Sequence, residues 1–186
     1  MEKIRTLLEK ISKSIDRLEP LFPPDHTAIN FAENVAFRWA KKSYSPFGQL
    51  LPIKNPATIS FEQLVGIEKQ ITTIRQNTEQ FLAQLPANNL LLTGARGTGK
   101  SSLIKATLAS YHKDGLKMVE IDSQDLEDLP ELLSLLEELP YPFIIFCDDL
   151  SFESGDPAYK PLKAMLDGSL SSPAKNILLY ATSNRR

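Results

Sequence analysis

Gly94-Ala95-Arg96-Gly97-Thr98-Gly99-Lys100-Ser101 is the stretch of this sequence that decides the fold. Its glycines, lysine and serine match the pattern G-x-x-x-x-G-K-[ST] at every fixed position. A short apolar run from Asn89 to Thr93 precedes the stretch and predicts a strand, and the segment from Lys100 to Tyr111 follows it and predicts a helix. A glycine-rich turn between a strand and a helix is the local structure that this pattern requires.

The glycines of this stretch predict a loop that wraps around an anion. Glycine adopts positive φ angles without steric cost, so successive backbone N–H groups can point inward, towards the positive end of the following helix. Lys100 is expected to bridge the β and γ phosphates of ATP, and the Ser101 hydroxyl to ligate Mg²⁺. The alternative is a glycine-rich turn that binds nothing. The predicted nucleotide-binding residues here are Gly94, Ala95, Arg96, Gly97, Thr98, Gly99, Lys100, Ser101 and Ser102.

Two adjacent acids follow the most apolar run of the sequence. Residues 143–147 predict a strand that is covered on both faces, and Asp148 and Asp149 come directly after it. Ligands of open α/β sheets bind at the carboxyl ends of the strands. Asp148 is therefore predicted to hold Mg²⁺, and Asp149 to orient or deprotonate an attacking water. Glu153 is a rival for the base, and a pair of acids that only caps a turn is the simpler alternative.

An asparagine follows the last predicted strand, residues 176–181. The amide of Asn184 could contact the γ phosphate or the attacking water, although asparagine is common after strands for reasons of turn geometry. The predicted catalytic residues are therefore Lys100, Asp149 and Asn184.

The second part of the chain alternates strands with helices, which predicts an α/β fold with a parallel sheet in the strand order 1-4-3-2. The other elements predicted there are a helix from Ile67 that stops at Pro86, a strand at residues 117–121, a leucine-rich helix from Pro130 to Leu139, and a helix that Asp156-Pro157 opens and that ends near Gly168.

The first part of the chain is predicted to be helical. Apolar residues recur at helical spacing in residues 1–18 and again in residues 28–42, and the proline-broken residues 45–58 predict a linker or an extended arm. We therefore expect an N-terminal helical region with its linker at residues 1–57 and a nucleotide-binding core at residues 58–186.

Composition limits the class of protein without naming it. The 186 residues are 42% hydrophobic and 24% charged with a formal net charge of -2, so no overall basic field indicates nucleic acid. The single cysteine, Cys147, excludes an internal disulfide framework and a cysteine-based zinc site. No secretory signal and no apolar run of membrane-spanning length occurs in the sequence, so we expect a cytoplasmic location and no membrane partner.

The three motifs together resemble those of the AAA+ ATPases, and the resemblance is strongest from Thr58 onwards. It implies a P-loop NTPase fold, a three-layer sandwich with a parallel sheet, preceded here by a small N-terminal helical region. The segment from Phe61 to Ile67 looks like the adenine-pocket segment of that family, which implies that Val65 and Gly66 flank the base. Residues 146–153 and 180–186 resemble more closely a bacterial family of AAA+ ATPases of undefined cellular role.

The sequence departs from the AAA+ pattern in two places. Typical members carry Asp-Glu where this chain has Asp148-Asp149, and the shorter aspartate has less reach as a base. The chain also ends at Arg186, two residues after Asn184, without counterparts of the fifth strand, the arginine finger and the helical lid. An arginine finger contributes roughly 10³–10⁵ in rate, so we expect this chain alone to bind ATP with little turnover.

The sequence leaves two functions open and disfavours two others. The first is an ATPase that remodels an unknown protein or nucleic-acid client, with homo-oligomers through ATP-bridged interfaces in the full-length protein. The second is a nucleotide-dependent binding module, a loader or switch with little turnover. A small-molecule kinase is disfavoured because paired acids and an asparagine follow the strands, and a GTPase because no Asn-Lys-x-Asp signature is present.

Overall fold

The computed structural model describes residues 2–18, 22, 29–41, 45–150 and 175–184. Its regular elements, in chain order, are α1 (Glu2–Leu18), β1 (Ala36–Lys41), β2 (Gly48–Pro52), α2 (Glu68–Leu82), β3 (Leu90–Thr93), α3 (Lys100–Tyr111), β4 (Lys117–Ile121), α4 (Leu129–Glu137), β5 (Phe143–Cys147) and β6 (Ile177–Ser183). Within the described residues, no helix combines the length and the apolar character needed to cross a membrane.

The six strands form one sheet in the order β2-β1-β4-β5-β6-β3. All neighbouring strands are parallel except β2, which runs antiparallel to β1 at the edge. The part β4-β5-β6-β3, read from β3, is the predicted order 1-4-3-2, which is thus confirmed. Because the strands are parallel and in close register, the residues that follow β3, β5 and β6 come together at one edge of the sheet.

Helices cover both faces of the sheet, which gives three layers. Side chains of β5 alternate between the faces, so Phe143, Ile145 and Cys147 belong to one core and Ile144 and Phe146 to the other. The first core also contains the apolar side of α4, and the second contains the apolar sides of α2 and α3. This arrangement explains why β5 is apolar at every position, since a strand covered on both faces has no solvent side.

The predicted helix at residues 28–42 is wrong. Residues 31–33 form a turn, and residues 36–41 are the strand β1, which pairs with β4 and β2. Phe37 and Trp39 are buried while Arg38 between them is exposed, which is the period of a strand. The apolar residues of this segment fit both periods, and pairing with β4 decides in favour of the strand.

The predicted linker at residues 45–58 contains the edge strand β2. Trp39 of β1 lies directly over Gly48 of β2, where a Cβ atom would come within 2.0 Å of Trp39 Cζ2. The glycine therefore makes room for the buried indole. The prolines around it indicate a linker, so the sequence alone does not reveal this requirement. Strands β1 and β2 precede residue 58 and yet belong to the same sheet as the later strands. The division into an N-terminal region and a core at that residue stays a prediction.

Other predictions agree with the structure. Helix α3 and strands β4 and β5 have the predicted bounds, and α4 carries Pro130 in its first turn. The predicted helix from Asp156 to Gly168 and the rival base Glu153 lie outside the described residues.

Candidate nucleotide-binding site

The glycine-rich loop connects β3 to α3, as its sequence pattern requires. The Gly94 N–H donates a hydrogen bond to Ser183 O at 3.2 Å, which ties the start of the loop to the end of β6. Gly97 and Gly99 have φ angles of 82° and 83°, in the left-handed region that glycine adopts without strain. Gly99 is also the N-cap residue directly before α3, so the loop ends at a helix N-terminus, where the first N–H groups have no partner within the helix.

The amine of Lys100 lies inside the loop. Its Nζ donates to Gly94 O and Ala95 O at 2.8 Å each, and to Asn184 Oδ1 at 2.9 Å. A lysine ammonium has three donors, and each has an acceptor here. The positive charge is thereby held where the loop turns, and the loop is connected to the residue that follows β6.

Ser101 and Asp148 are in direct contact. Ser101 Oγ donates to Asp148 Oδ1 at 2.6 Å, and Thr182 Oγ1 donates to the same carboxylate oxygen at 2.5 Å. Hydroxyl and carboxylate oxygens are the hard donors that Mg²⁺ takes in nucleotide sites, where phosphates and water supply the remaining ligands. The residues present therefore fit a magnesium ion that is bound together with a nucleotide. Among the described residues, no cluster of three or more His, Cys, Asp or Glu forms a separate metal site.

Asp149 has an unusual backbone conformation. Its φ angle is 53°, in a region where asparagine and aspartate are several-fold enriched among residues other than glycine. The Asp149 N–H donates to Thr182 Oγ1 at 2.8 Å, and the Asn184 Nδ2 group donates to Asp149 Oδ1. The side chain of Asp149 is exposed, which leaves it accessible to a water molecule or a ligand.

The predicted site residues of the three motifs thus form one polar network. It runs from Ser101 through Asp148 and Asp149 to Asn184 and Lys100, with one residue that the sequence analysis missed. This residue is Thr182, whose hydroxyl contacts both acids. The strand register is the signal that could have identified Thr182. Cys147 pairs with Ala181, so the residues that follow them, Asp148 and Thr182, lie side by side.

The predicted adenine segment lies next to the loop. A Cβ atom at Gly99 would come 3.5 Å from Ile67 Cδ1, so the segment abuts the start of α3. Gly66 has a φ angle of 80°, and its N–H donates to Glu68 Oε1 at 2.9 Å. Val65 is 88% exposed and is available to a ligand. Its contact with a base stays a prediction.

The remaining predicted contacts differ in exposure. Arg96 and Thr98 are exposed in the loop, and Thr98 Oγ1 donates to Ala95 O at 2.9 Å, which stiffens the turn. Ser102 is half-buried in the first turn of α3. Cys147 is fully buried, and burial, assisted by the charges of Asp122 and Asp148, raises the pKa of its thiol to about 12. The thiol therefore belongs to the core of the protein and takes no part in the polar network.

The fold is that of a P-loop NTPase: a mostly parallel sheet, helices on both faces, and a glycine-rich loop at a strand–helix junction. Residues 32–186 match the family described as "Protein of unknown function (DUF815)", and the chain belongs to that family. It is also similar to proteasome-activating nucleotidase 1 of Haloferax volcanii, with 24% identity over 205 residues that cover 95% of this chain and 50% of that protein. The chain thus spans about half the length of this curated relative. Fold and comparisons together support a relationship with the AAA+ ATPases.

Proposed function

We propose that this chain binds ATP with Mg²⁺ at the loop of residues 94–101 and hydrolyses it. The observation that carries the proposal is the polar network that joins Lys100 and Ser101 to Asp148, Asp149 and Asn184. These side chains come from three separate parts of the sequence and meet at one helix N-terminus. The similarity to a protein of Haloferax volcanii that is named a nucleotidase supports the same class of reaction.

The loop and its lysine provide the binding half of the reaction. Backbone N–H groups around Gly97 and Gly99 hold the phosphates, and the Lys100 amine, which lies at 2.8 Å from two loop carbonyls, turns to the β and γ phosphates. Ser101 and Asp148 hold Mg²⁺, which supplies charge neutralisation at the phosphates when bound. Val65 and Gly66 flank the adenine.

Asp149 and Asn184 provide the hydrolytic half. The exposed carboxylate of Asp149 accepts the proton of the attacking water or orients that water for attack. Asn184 contacts both Asp149 and Lys100, so its amide fixes the distance between the Asp149 carboxylate and the Lys100 amine at the γ phosphate. In-line attack depends on this kind of positioning more than on covalent chemistry by the protein.

A switch with little turnover is the second candidate. The observation that favours it is that the Asp149 carboxylate already accepts a hydrogen bond from Asn184 and has the short reach of an aspartate. In either case we propose a cytoplasmic protein that acts on an unknown protein or nucleic-acid client and that forms ATP-bridged homo-oligomers in its full-length form. We propose that, within a longer protein, the same chain binds and hydrolyses ATP.

The test is a calorimetric titration of ATP with Mg²⁺, together with an assay of phosphate release. Wild type is expected to bind, and Lys100→Ala to bind about 10–100-fold more weakly, because the variant loses charge-assisted hydrogen bonds to phosphate. Lys105→Ala, on the same helix and outside the network, is the matched control and should bind like wild type. The rate of phosphate release separates an ATPase from a switch. If wild type binds no ATP, either alone or in a chain extended beyond Arg186, the proposal is wrong.

A further inference from the structure

We propose that Thr182 is a positioning residue that holds both acids of the site through its single hydroxyl group and thereby sets the affinity for Mg²⁺. The inference rests on the proposed function, because it concerns the metal that binds with the nucleotide at that site. Thr182 lies near the end of β6, and it is 1% exposed. Neither the loop motif nor the paired acids includes it.

The hydroxyl of Thr182 has one partner on each acid. Its Oγ1 donates to Asp148 Oδ1 at 2.5 Å and accepts from the Asp149 N–H at 2.8 Å. A hydroxyl has one proton and two lone pairs, so both bonds can exist at once and each fixes the direction of the other. Because the side chain is almost completely buried, water has little access to replace either partner.

Two further hydrogen bonds with the same strand hold the turn that carries Asp149. Leu150 N–H donates to Thr182 O at 2.7 Å, and Ser183 Oγ donates to Leu150 O at 2.8 Å. Asp149 directly precedes Leu150 and has a φ angle of 53°, a conformation that persists outside glycine where the surroundings enforce it. The side-chain bond from Thr182 to Asp149 N–H is therefore one of the contacts that turn this acid towards the loop.

Asp148 accepts two hydroxyl donors on one oxygen, and the two donors have different roles. Ser101 is a proposed Mg²⁺ ligand, so its hydroxyl changes partner when the metal is bound. Thr182 projects from a buried strand and keeps its bond to Asp148 in both situations. A hydrogen bond from a residue that does not itself bind the metal orients the metal-binding carboxylate, and its loss typically weakens metal affinity about 10–100-fold.

The experiment compares Thr182→Val, which keeps the shape and loses the hydroxyl, with Thr182→Ser, which restores it. Thr107→Val is the matched control, because Thr107 is another fully buried threonine whose Oγ1 donates to a helix carbonyl, Leu103 O, at 3.0 Å. ATP affinity is measured by calorimetry over a series of Mg²⁺ concentrations and again in EDTA. Thermal unfolding of each variant is recorded in parallel.

For Thr182→Val we expect the half-saturating Mg²⁺ concentration to rise about tenfold, with an affinity for ATP in EDTA that stays within about twofold of wild type. Thr182→Ser and Thr107→Val should retain the metal dependence of wild type. A merely structural role would weaken binding in EDTA and in Mg²⁺ alike, and this outcome overturns the inference. So does a metal dependence of Thr182→Val equal to that of wild type.

Two further arms keep the test decisive. If Thr182→Val fails to fold, Thr182→Ala, which also lacks the hydroxyl and fills less space, is measured against the same expectations. If wild type binds no ATP under any condition, the proposed function fails, and the inference fails with it. If wild type binds ATP and the Thr182 variants do not differ from it, only the inference fails.

Discussion

The Lys100 amine donates a hydrogen bond to Asn184 Oδ1 at 2.9 Å across a sequence separation of 84 residues. The contact arises because β3 and β6 are parallel neighbours, with Thr93 paired to Ser183 at their ends. The residue after each strand therefore lies at the same edge of the sheet, and the loop that starts at Gly94 meets the residue that follows Ser183. Asn184 thereby becomes part of the phosphate site.

Replacement of Asn184 by alanine should separate binding from turnover. The variant removes the contacts to Lys100 and Asp149, and loss of one preorganised donor typically lowers kcat about 10²–10³-fold. We expect a smaller change in ATP affinity, since the loop N–H groups and Lys100 remain. Single-turnover phosphate release and calorimetry measure the two quantities. Asn55→Ala, at an exposed asparagine outside the network, is the control, and an equal loss of affinity and rate in Asn184→Ala would contradict the prediction.

Asp149→Asn should bind ATP with Mg²⁺ like wild type and hydrolyse it about 10²–10⁴-fold more slowly, the usual contribution of a general base. Asparagine tolerates the φ angle of 53° as well as aspartate does, so the backbone is preserved. The measurement is the rate of phosphate release at saturating ATP. An unchanged rate would exclude Asp149 as the base and direct attention to Glu153.

Gly48→Ala should lower the free energy of unfolding by about 1–3 kcal/mol, the usual cost of overpacking a core. Its new methyl group would meet the Trp39 indole at 2.0 Å, and that side chain is only 1% exposed. Urea unfolding followed by tryptophan fluorescence gives the value. Gln49→Ala on the same strand tests whether β2 tolerates alanine in general, and equal stabilities of both variants would refute the packing argument.

Cys147 should resist thiol reagents in the folded protein. With a pKa of about 12, only about 10⁻⁴ of the thiol is ionised at pH 8, and the side chain is fully buried. Labelling with a chromogenic disulfide is expected to be slow in buffer and fast in denaturant. Rapid labelling of the folded protein would show that β5 opens readily.

The same pKa predicts a dependence of stability on pH. The folded thiol keeps its proton above the ordinary thiol pKa of about 8.5, so the unfolded state binds fewer protons there and stability falls as the pH rises from about 8.5 towards 12. The slope due to this group reaches about 1.4 kcal/mol per pH unit. Other groups titrate in this range, so the measured quantity is the difference between wild type and Cys147→Ala. Parallel curves would contradict the expected burial.

The strands and helices around the loop could be predicted because their signals are local. The bounds of α3 follow from the loop motif on one side and the end of its apolar period on the other, and β5 is apolar at every position because both of its faces are covered. Strand β1 could not be predicted in this way. Its apolar residues fit a helix and a strand equally, and only its pairing with β4 makes the extended form the more stable one.

The sequence by itself determined the phosphate loop, the two acids and the asparagine, because each is a short pattern whose chemistry depends on neighbours in the chain. The tertiary structure decided which of their atoms meet. Strand register makes Thr182 the residue that joins Asp148 to Asp149, and the indole of Trp39 that lies over Gly48 leaves no room for a Cβ atom there. Both relations depend on hydrogen-bonded pairing between strands. The pairing is determined by how the whole sheet buries its apolar side chains, and no single segment of the sequence contains that information.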